Sequence, residues 1–163
     1  MKKISVNELV LGALGMALVF LATFLIKMPN GIQGYFNLGD GFIMLFACFV
    51  NPFLAFLIGG VGSGLADVVG GYGIYFIPTL IIKGLEGCMV AYVAHKYMNK
   101  ANWIIYIIAG CWMVLGYLVC DSFINQSFAL GLSGVLANLL QGGIGVVIAY
   151  ISFPLISKIV NKG

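Results

Sequence analysis

Long apolar stretches, separated by short polar or glycine-rich segments, run along the whole 163-residue chain. An α-helix needs roughly 20 mostly apolar residues to cross a bilayer. Asn51-Pro52 interrupts one apolar region, since proline lacks a backbone donor and disfavours helix in the residue before it. The pattern predicts an all-α integral membrane protein with six transmembrane helices, over Leu9–Ile26, Leu38–Val50, Phe53–Val69, Ile74–Lys96, Trp103–Cys120 and Leu132–Ile156.

Composition agrees with a protein that lives in lipid. The chain is 62% apolar and only 8% charged, with a mean hydropathy of +1.10, whereas soluble domains have about 25% charged residues. No linker or shift in composition divides the chain, so we expect residues 1–163 to form a single membrane domain. The apolar run after Met1-Lys2-Lys3 is too long for a signal peptide and lacks a small-residue cleavage site, so we expect a retained first span.

The positions of the lysines predict the orientation in the membrane. Six spans place both termini on one side, and only Lys27 falls in a loop on the other side. By the positive-inside rule, both termini are expected in the cytoplasm and residues 27–37, 70–73 and 121–131 outside. Lysines scattered in this way are not typical of nucleic-acid binding. The lysines on the predicted cytoplasmic side are Lys2, Lys3, Lys96, Lys100, Lys158 and Lys162.

Two ionisable side chains lie inside one of the apolar stretches. Lys83 and Glu86 are one helical turn apart within Ile74–Ala94, which is long enough to span a bilayer. Charged groups are expensive in hydrocarbon and mark functional sites by default. The alternative is an internal ion pair that only locks two helices together.

Polar and aromatic residues gather near the predicted outer ends of the spans. Aromatic walls, amides, a cation and one or two carboxylates are the usual makeup of a small-molecule pocket. Alternatives stay open: the tyrosines suit an interfacial belt, Asp40 suits a helix N-cap, and Asp67 suits pairing with Lys83 alone. The candidate substrate-binding residues are Asn37, Asp40, Asp67, Tyr72, Tyr75, Lys83, Glu86, Asn138 and Gln141.

Other kinds of chemistry lack their usual residues. The sequence has no nucleophile elbow, no HExxH motif, no ATP-binding loop and no cysteine–histidine metal spacing. We therefore expect no catalytic residue, no metal and no cofactor, and active transport must draw its energy from elsewhere. The four cysteines are expected to be buried and inert, and His95 to lie at a membrane interface.

Ala13 and Ala17 form a small, flat stripe on the first span. Such a stripe allows another helix to approach closely, either within this protein or from another membrane subunit.

The order and spacing of several motifs resemble the substrate-binding S components of energy-coupling factor (ECF) vitamin transporters. The closest subgroup is assigned to hydroxymethylpyrimidine or pyridoxine uptake and overlaps with riboflavin-type S components. Glu86 departs from the family pattern, where an apolar or small residue is expected. The motifs are Ala13-x-x-x-Ala17, Asn37-Leu38-Gly39-Asp40, Gly62 to Asp67 with Gly70-Gly71-Tyr72, and Pro78-Thr79 with Ile82 to Leu85.

The resemblance implies a function that the residues alone do not show. S components are six-helix proteins of the bacterial cell membrane that bind a vitamin on the outer side. They dock on a transmembrane coupling (T) subunit that carries two ABC ATPases, topple in the membrane, and release the vitamin inside. For this chain, Ala13 and Ala17 become docking residues, and the loops at 27–37 and 70–73 become the lid and wall of the pocket. The chain itself is then not an enzyme and has no nucleic-acid partner.

Two other classes of function remain as alternatives. One is a stand-alone ion-coupled secondary carrier or channel for a small solute, with Lys83 and Glu86 as the coupled gate. The other is a non-binding assembly subunit of a larger membrane complex.

Overall fold

The computed structural model describes residues 4–29, 34–96 and 103–160. Within these ranges the chain forms six α-helices, a short hairpin and a 3-10 turn over Gly73–Tyr75. The two-residue strands β1 (Met28–Pro29) and β2 (Tyr35–Phe36) pair antiparallel. The helices are α1 (Val6–Leu25), α2 (Gly39–Ala47), α3 (Pro52–Val69), α4 (Phe76–Lys96), α5 (Trp103–Ile124) and α6 (Phe128–Val160).

Every helix except α2 is long and apolar enough to cross a membrane, which makes five among the described residues. Helix α2 has nine residues and therefore rises only about 13 Å. All of its residues except Phe42 are buried, and α1, α3, α4 and α6 surround it. The structure is thus an all-α membrane-spanning bundle with a short helix enclosed in it.

Two expectations about segment boundaries are wrong. The second predicted span continues to Val50, but α2 ends at Ala47. The region 121–131, expected as a polar loop, is mostly helical, because α5 extends through Ile124 and α6 begins at Phe128. The connection after α1 contains the hairpin. The predicted linker 97–102 and the lysines Lys2, Lys3, Lys100 and Lys162 lie outside the described residues.

Side-chain caps explain where two of the helices begin. The hydroxyl of Ser5 accepts a hydrogen bond from the Glu8 backbone N–H, and the Glu8 carboxylate accepts one from the Ser5 N–H. This capping box satisfies two donors that a helix start leaves free. At α3, Asn51 accepts from the N–H groups of Phe53 and Leu54, and Pro52 takes the first helical position, where its missing N–H costs nothing.

Glycines bring α3 and α4 into close backbone contact. A Cβ atom added to Gly59 would overlap the carbonyl oxygen of Lys83, and one added to Gly60 would lie 2.5 Å from the carbonyl oxygen of Leu80. From the other side, a Cβ on Gly87 would lie 2.5 Å from the carbonyl oxygen of Ala55. Small residues at such crossings let membrane helices pack backbone to backbone. This contact fixes the position of the α4 segment that carries Lys83.

The two ends of the bundle are marked by different groups. At one end, which we call the His95 end, the Nε2 atom of His95 lies 2.7 Å from the carbonyl oxygen of Val50, joining the end of α4 to the turn between α2 and α3. The other end carries β1 and β2 and is called the hairpin end. There Lys27 lies over the rings of Phe24, Tyr35 and Tyr72.

The outer surface of the bundle is apolar. Large hydrophobic side chains are exposed along all five long helices, among them Val10, Phe53, Ile81, Leu115 and Leu136. Such a continuous apolar surface suits lipid rather than water. Cys111 is exposed on this surface and Cys88 and Cys120 are half-buried, so of the four cysteines expected to be buried only Cys48 is.

Candidate functional site

Lys83 is buried in the middle of the bundle. It lies seven residues after Phe76, the first residue of α4, and thus about 10 Å along that helix. Its residue is 1% exposed, and its ammonium forms ion pairs with Asp40 and, at 3.6 Å, with Glu86. A charge so far from water persists only with such partners.

Asp40 belongs to a hydrogen-bonded network that joins several elements. Gln141 of α6 donates to the second carboxylate oxygen of Asp40 at 2.8 Å and accepts from the Asn37 backbone N–H at 2.8 Å. The Asn37 side chain accepts from the Gly39 N–H at 2.9 Å and from the Thr23 hydroxyl at 3.4 Å. The segment between the hairpin and α2 therefore enters the bundle with its polar groups satisfied, as buried polar groups require.

Glu86 differs from the other charged groups of the site. Its side chain is fully buried, yet neither carboxyl oxygen has a hydrogen-bond partner among the described residues. The Lys83 ammonium lies 3.6 Å from one of its oxygens, and the Asp40 carboxyl is a second close neighbour. Two carboxyl groups thus face one ammonium in the interior.

A cavity opens between Lys83 and the hairpin end. Its volume is only about 30 Å³. That is room for about two water molecules, so a larger ligand needs the surrounding side chains to move. Helices α1, α3, α4, α5 and α6 and the segment before α2 all contribute to its wall.

Asp67 of α3 joins the cavity wall to the hairpin. The Tyr35 hydroxyl donates to one carboxylate oxygen of Asp67 at 2.5 Å, and the Tyr35 ring packs on Tyr72 with 4.7 Å between centroids. Burial, together with the negative charge of Asp67, raises the pKa of the Tyr35 phenol well above its usual range. Tyr35 therefore keeps its proton at physiological pH and remains a donor.

Two further hydrogen bonds order the opposite wall, between α4 and α5. The Tyr75 hydroxyl donates to Asp121 at 2.8 Å, and the hydroxyls of Thr79 and Tyr117 share a hydrogen bond of 2.9 Å. The Tyr117 ring also lies 5.5 Å from the Lys83 ammonium, within the range of a cation–π contact. The wall offers aromatic surface together with oriented polar groups.

A separate apolar groove runs between α1 and α3 on the outside of the bundle. Its volume is about 680 Å³, far more than that of the cavity. Ala13 and Ala17 are both exposed and line the groove. Larger apolar side chains, among them Leu9, Phe20 and Leu65, line it as well.

The geometry describes a membrane bundle with one polar cavity and no grouping of three metal-ligating side chains among the described residues. A family model described as the S component of an ECF-type riboflavin transporter matches residues 3–159. The chain belongs to this family. It is therefore a membrane-spanning S component of the vitamin-uptake type, and the family is one of transporters rather than enzymes.

This S component is similar to two further proteins, one described as uncharacterized and one described as a transporter. An uncharacterized protein of Pyrococcus woesei is 40% identical over 102 residues, which is 61% of this chain and 68% of the relative. The thiamine precursor transporter HmpT of Lactococcus lactis is 25% identical over 156 residues, which is 94% of this chain and 90% of the relative. The second match covers nearly the whole length of both proteins.

The structure brings most of the candidate residues of this S component to one place. Asp40 and Glu86 lie behind Lys83 rather than in the wall, and the Tyr72 ring packs at a tilt against Tyr35. Asp40 is not a helix cap, because Leu38 takes the cap position without a side-chain hydrogen bond. The candidates in the cavity wall are Asn37, Asp67, Tyr75, Lys83, Asn138 and Gln141.

Several residues of the cavity wall were not in the candidate set. Three of them are one helical turn from another polar residue of the wall: Ser63 precedes Asp67, Thr79 precedes Lys83, and Tyr117 precedes Asp121. Residues four apart share a helix face, so the spacing to a second polar residue could have identified these three residues from the sequence. The others are Thr23, Gly34, Tyr35 and Asp121.

Proposed function

We propose that this S component binds a small vitamin, hydroxymethylpyrimidine or pyridoxine, in the cavity beside Lys83. The observation that carries the proposal is a polar, partly aromatic cavity enclosed by membrane-spanning helices. The full-length similarity to a thiamine precursor transporter supports a small substrate, and the narrow cavity favours a single ring over a larger ring system. Asn138 and Lys83 would contact polar groups of the ring, and Tyr75 would provide an aromatic face.

The orientation belongs to the same proposal. Lys158 is in the last turn of α6 and Lys96 in that of α4, whereas Lys27 is at the hairpin end. By the positive-inside rule this distribution supports cytoplasmic termini and an outward-facing cavity. Helix α2 then makes the second of six crossings together with the polar segment before it.

The groove between α1 and α3 is the proposed docking face for the coupling subunit. An exposed stripe of small residues lets a second membrane helix approach closely, and Ala13 and Ala17 provide one. The coupling subunit would bring two ABC ATPases, and the vitamin captured outside would be released inside after docking. ATP hydrolysis then takes place only in the partner subunits.

Binding is tested by a thermal-shift screen of the detergent-purified protein. A ligand that binds only the folded form at 100 times its Kd adds about 2.7 kcal/mol to the free energy of unfolding. We expect hydroxymethylpyrimidine or pyridoxine to raise the melting temperature, and riboflavin to have less effect. A panel of B-group vitamins and pyrimidines with no stabilising member would contradict vitamin binding and favour an assembly subunit.

Docking is tested by enlarging the alanine stripe. Ala13→Trp or Ala17→Trp is expected to abolish vitamin uptake by cells that express the whole transporter, because the indole blocks close helix approach. Vitamin binding by the purified variants should stay within about twofold of wild type, since neither alanine lines the cavity. Ala129→Trp, on an exposed position of α6, is the matched control. Normal uptake by both groove variants would place the docking face elsewhere.

A stand-alone carrier is favoured by one observation, the buried Glu86 without a hydrogen bond. Such a carboxyl beside Lys83 is the kind of group that exchanges protons in ion-coupled transporters. The chain reconstituted alone in vesicles decides between the two functions. Steady uptake driven by an ion gradient would favour the carrier, and uptake only with coupling subunit and ATPases would favour the S component mechanism.

A further inference from the structure

Two polar atoms in the cavity wall have no hydrogen-bond partner among the described residues. They are the hydroxyl oxygen of Ser63 and the second carboxylate oxygen, Oδ2, of Asp67. Their residues are 2% and 3% exposed. An unsatisfied buried polar group lowers stability by on the order of 1–3 kcal/mol, so we expect each of these two atoms to have a functional role.

The two atoms belong to one recognition surface. Ser63 and Asp67 are four residues apart on α3, so they lie on the same face, about 6 Å apart along the helix axis. Both line the cavity. Asp67 is nearer the hairpin end, where it accepts the hydrogen bond from Tyr35 through its other oxygen.

Most other polar groups of the wall already have partners within the protein. The Lys83 ammonium is held by Asp40 and Glu86, and Gln141 is held by Asn37 and Asp40. Asp121 accepts from Tyr75. The Thr79 hydroxyl is bonded to Tyr117 and also interacts with Asp67, but Oδ2 of Asp67 still lacks a hydrogen bond.

The unpaired oxygen of Asp67 therefore requires a hydrogen-bond donor on the ligand. A carboxylate oxygen can only accept, so a ligand that satisfies Asp67 must present an N–H or O–H group to it. A phosphate or carboxylate on the ligand would instead be repelled. The Ser63 hydroxyl can donate to a second atom deeper in the cavity, such as a ring nitrogen.

We propose that Asp67 and Ser63 are the residues that determine substrate specificity, and that they select an uncharged or cationic single-ring nitrogen heterocycle carrying an amino group. The amino group donates to Oδ2 of Asp67, while the Ser63 hydroxyl contacts another polar atom of the ring. This inference rests on the proposed vitamin-binding function and, of its two substrates, favours the amino-substituted hydroxymethylpyrimidine over pyridoxine, because an aromatic amino group offers two N–H donors where a hydroxyl offers one.

A series of three ligands tests the inference on the unmodified protein by isothermal titration. The ligands are the amino-substituted hydroxymethylpyrimidine, its analogue with hydrogen in place of the amino group, and its analogue with a ring oxo group there. Hydrogen bonds to charged groups contribute enough for about a 10- to 100-fold difference in Kd. We expect the amino compound to bind that much more tightly than either analogue.

An isosteric variant tests the role of Asp67. In Asp67→Asn, the amide oxygen accepts from Tyr35 and the amide NH₂ faces the cavity, so a donor replaces the acceptor. We expect the preference to reverse, with the oxo analogue bound more tightly than the amino compound. A residue that only supports the structure would weaken all three ligands alike. Glu8→Gln, at a half-buried residue in the first turn of α1 and far from the cavity wall, is the control for loss of a carboxylate.

The role of Ser63 is tested by removing its hydroxyl. Ser63→Ala should weaken the amino compound about 3- to 10-fold, the effect of one neutral hydrogen bond. Ser133→Ala is the matched control, because the Ser133 hydroxyl is exposed and bonded to the Leu130 carbonyl.

Several outcomes would overturn the inference, and they separate it from the proposed function. Tight binding of pyridoxine or riboflavin with no preference for the amino compound would leave an S component with another recognition mode. If Asp121→Asn, and not Asp67→Asn, reversed the preference between the amino and oxo ligands, the residue that recognises the amino group would lie on α5. If the unmodified protein bound no vitamin or pyrimidine, the inference and the proposed function would fail together. If Asp67→Asn failed to fold, the three-ligand series would still decide.

Discussion

Replacing Lys83 by methionine is expected to lower the free energy of unfolding by about 3–5 kcal/mol, the usual effect of removing one partner from a buried ion pair. The reason is that Asp40 and Glu86 are left in the interior without an ammonium. Melting of the purified protein in detergent measures the loss. Lys27→Met is the matched control, because that lysine lies over aromatic rings at the edge of the bundle and should contribute only about 0.5–1 kcal/mol.

A triple variant separates lost charge balance from lost packing. Adding Asp40→Asn and Glu86→Gln to Lys83→Met removes all three charges while keeping similar side-chain volumes. Replacing a whole buried charge cluster is often neutral for stability, so we expect the triple variant to regain most of the loss. A triple variant no more stable than Lys83→Met would show that methionine harms the packing, not the charge balance.

The second large effect is expected at the contact between α3 and α4. Gly59→Ala should lower the free energy of unfolding by about 1–3 kcal/mol, because its Cβ would overlap the carbonyl oxygen of Lys83 and one helix backbone would have to move. In an unobstructed helix the same change stabilises by about 1 kcal/mol. A loss of stability in Gly59→Ala would therefore indicate the close contact between α3 and α4, and a gain would contradict it.

Gly143→Ala provides the control within the same protein. Gly143 lies in α6, and an added Cβ would have no neighbour within 4 Å among the described residues. We expect this variant to melt at or slightly above the wild-type temperature. Equal behaviour of the two alanine variants would contradict the close α3–α4 contact.

The long helices could be predicted from the sequence because each of them is a continuous apolar stretch. The sequence also placed the start of α3, since Asn51-Pro52 combines a capping side chain with a residue suited to the first helical turn. The length of α2 could not be predicted. The polar network around Asn37 lies just before its start, but Cys48, Phe49 and Val50 are as apolar as the helix itself, so the pattern gives no sign that α2 ends at Ala47.

The charged centre of the site was predicted only in part. The spacing of Lys83 and Glu86 within one apolar stretch indicated a functional pair, and the structure shows them 3.6 Å apart. The contact with Asp40 is 43 residues distant in the sequence, so no local pattern reveals it. The same holds for Tyr35, whose partner Asp67 is 32 residues away.

The network around Asn37 has a consequence for how the molecule is made in the cell. Chains are synthesised from the N-terminus, so Asp40 leaves the ribosome 101 residues before Gln141. Until α4 brings the ammonium and α6 brings the amide, that carboxylate has neither of these partners. A nascent chain arrested before α4 therefore has an acidic group without a counter-charge in the membrane, and one arrested between α4 and α6 still lacks the Gln141 amide.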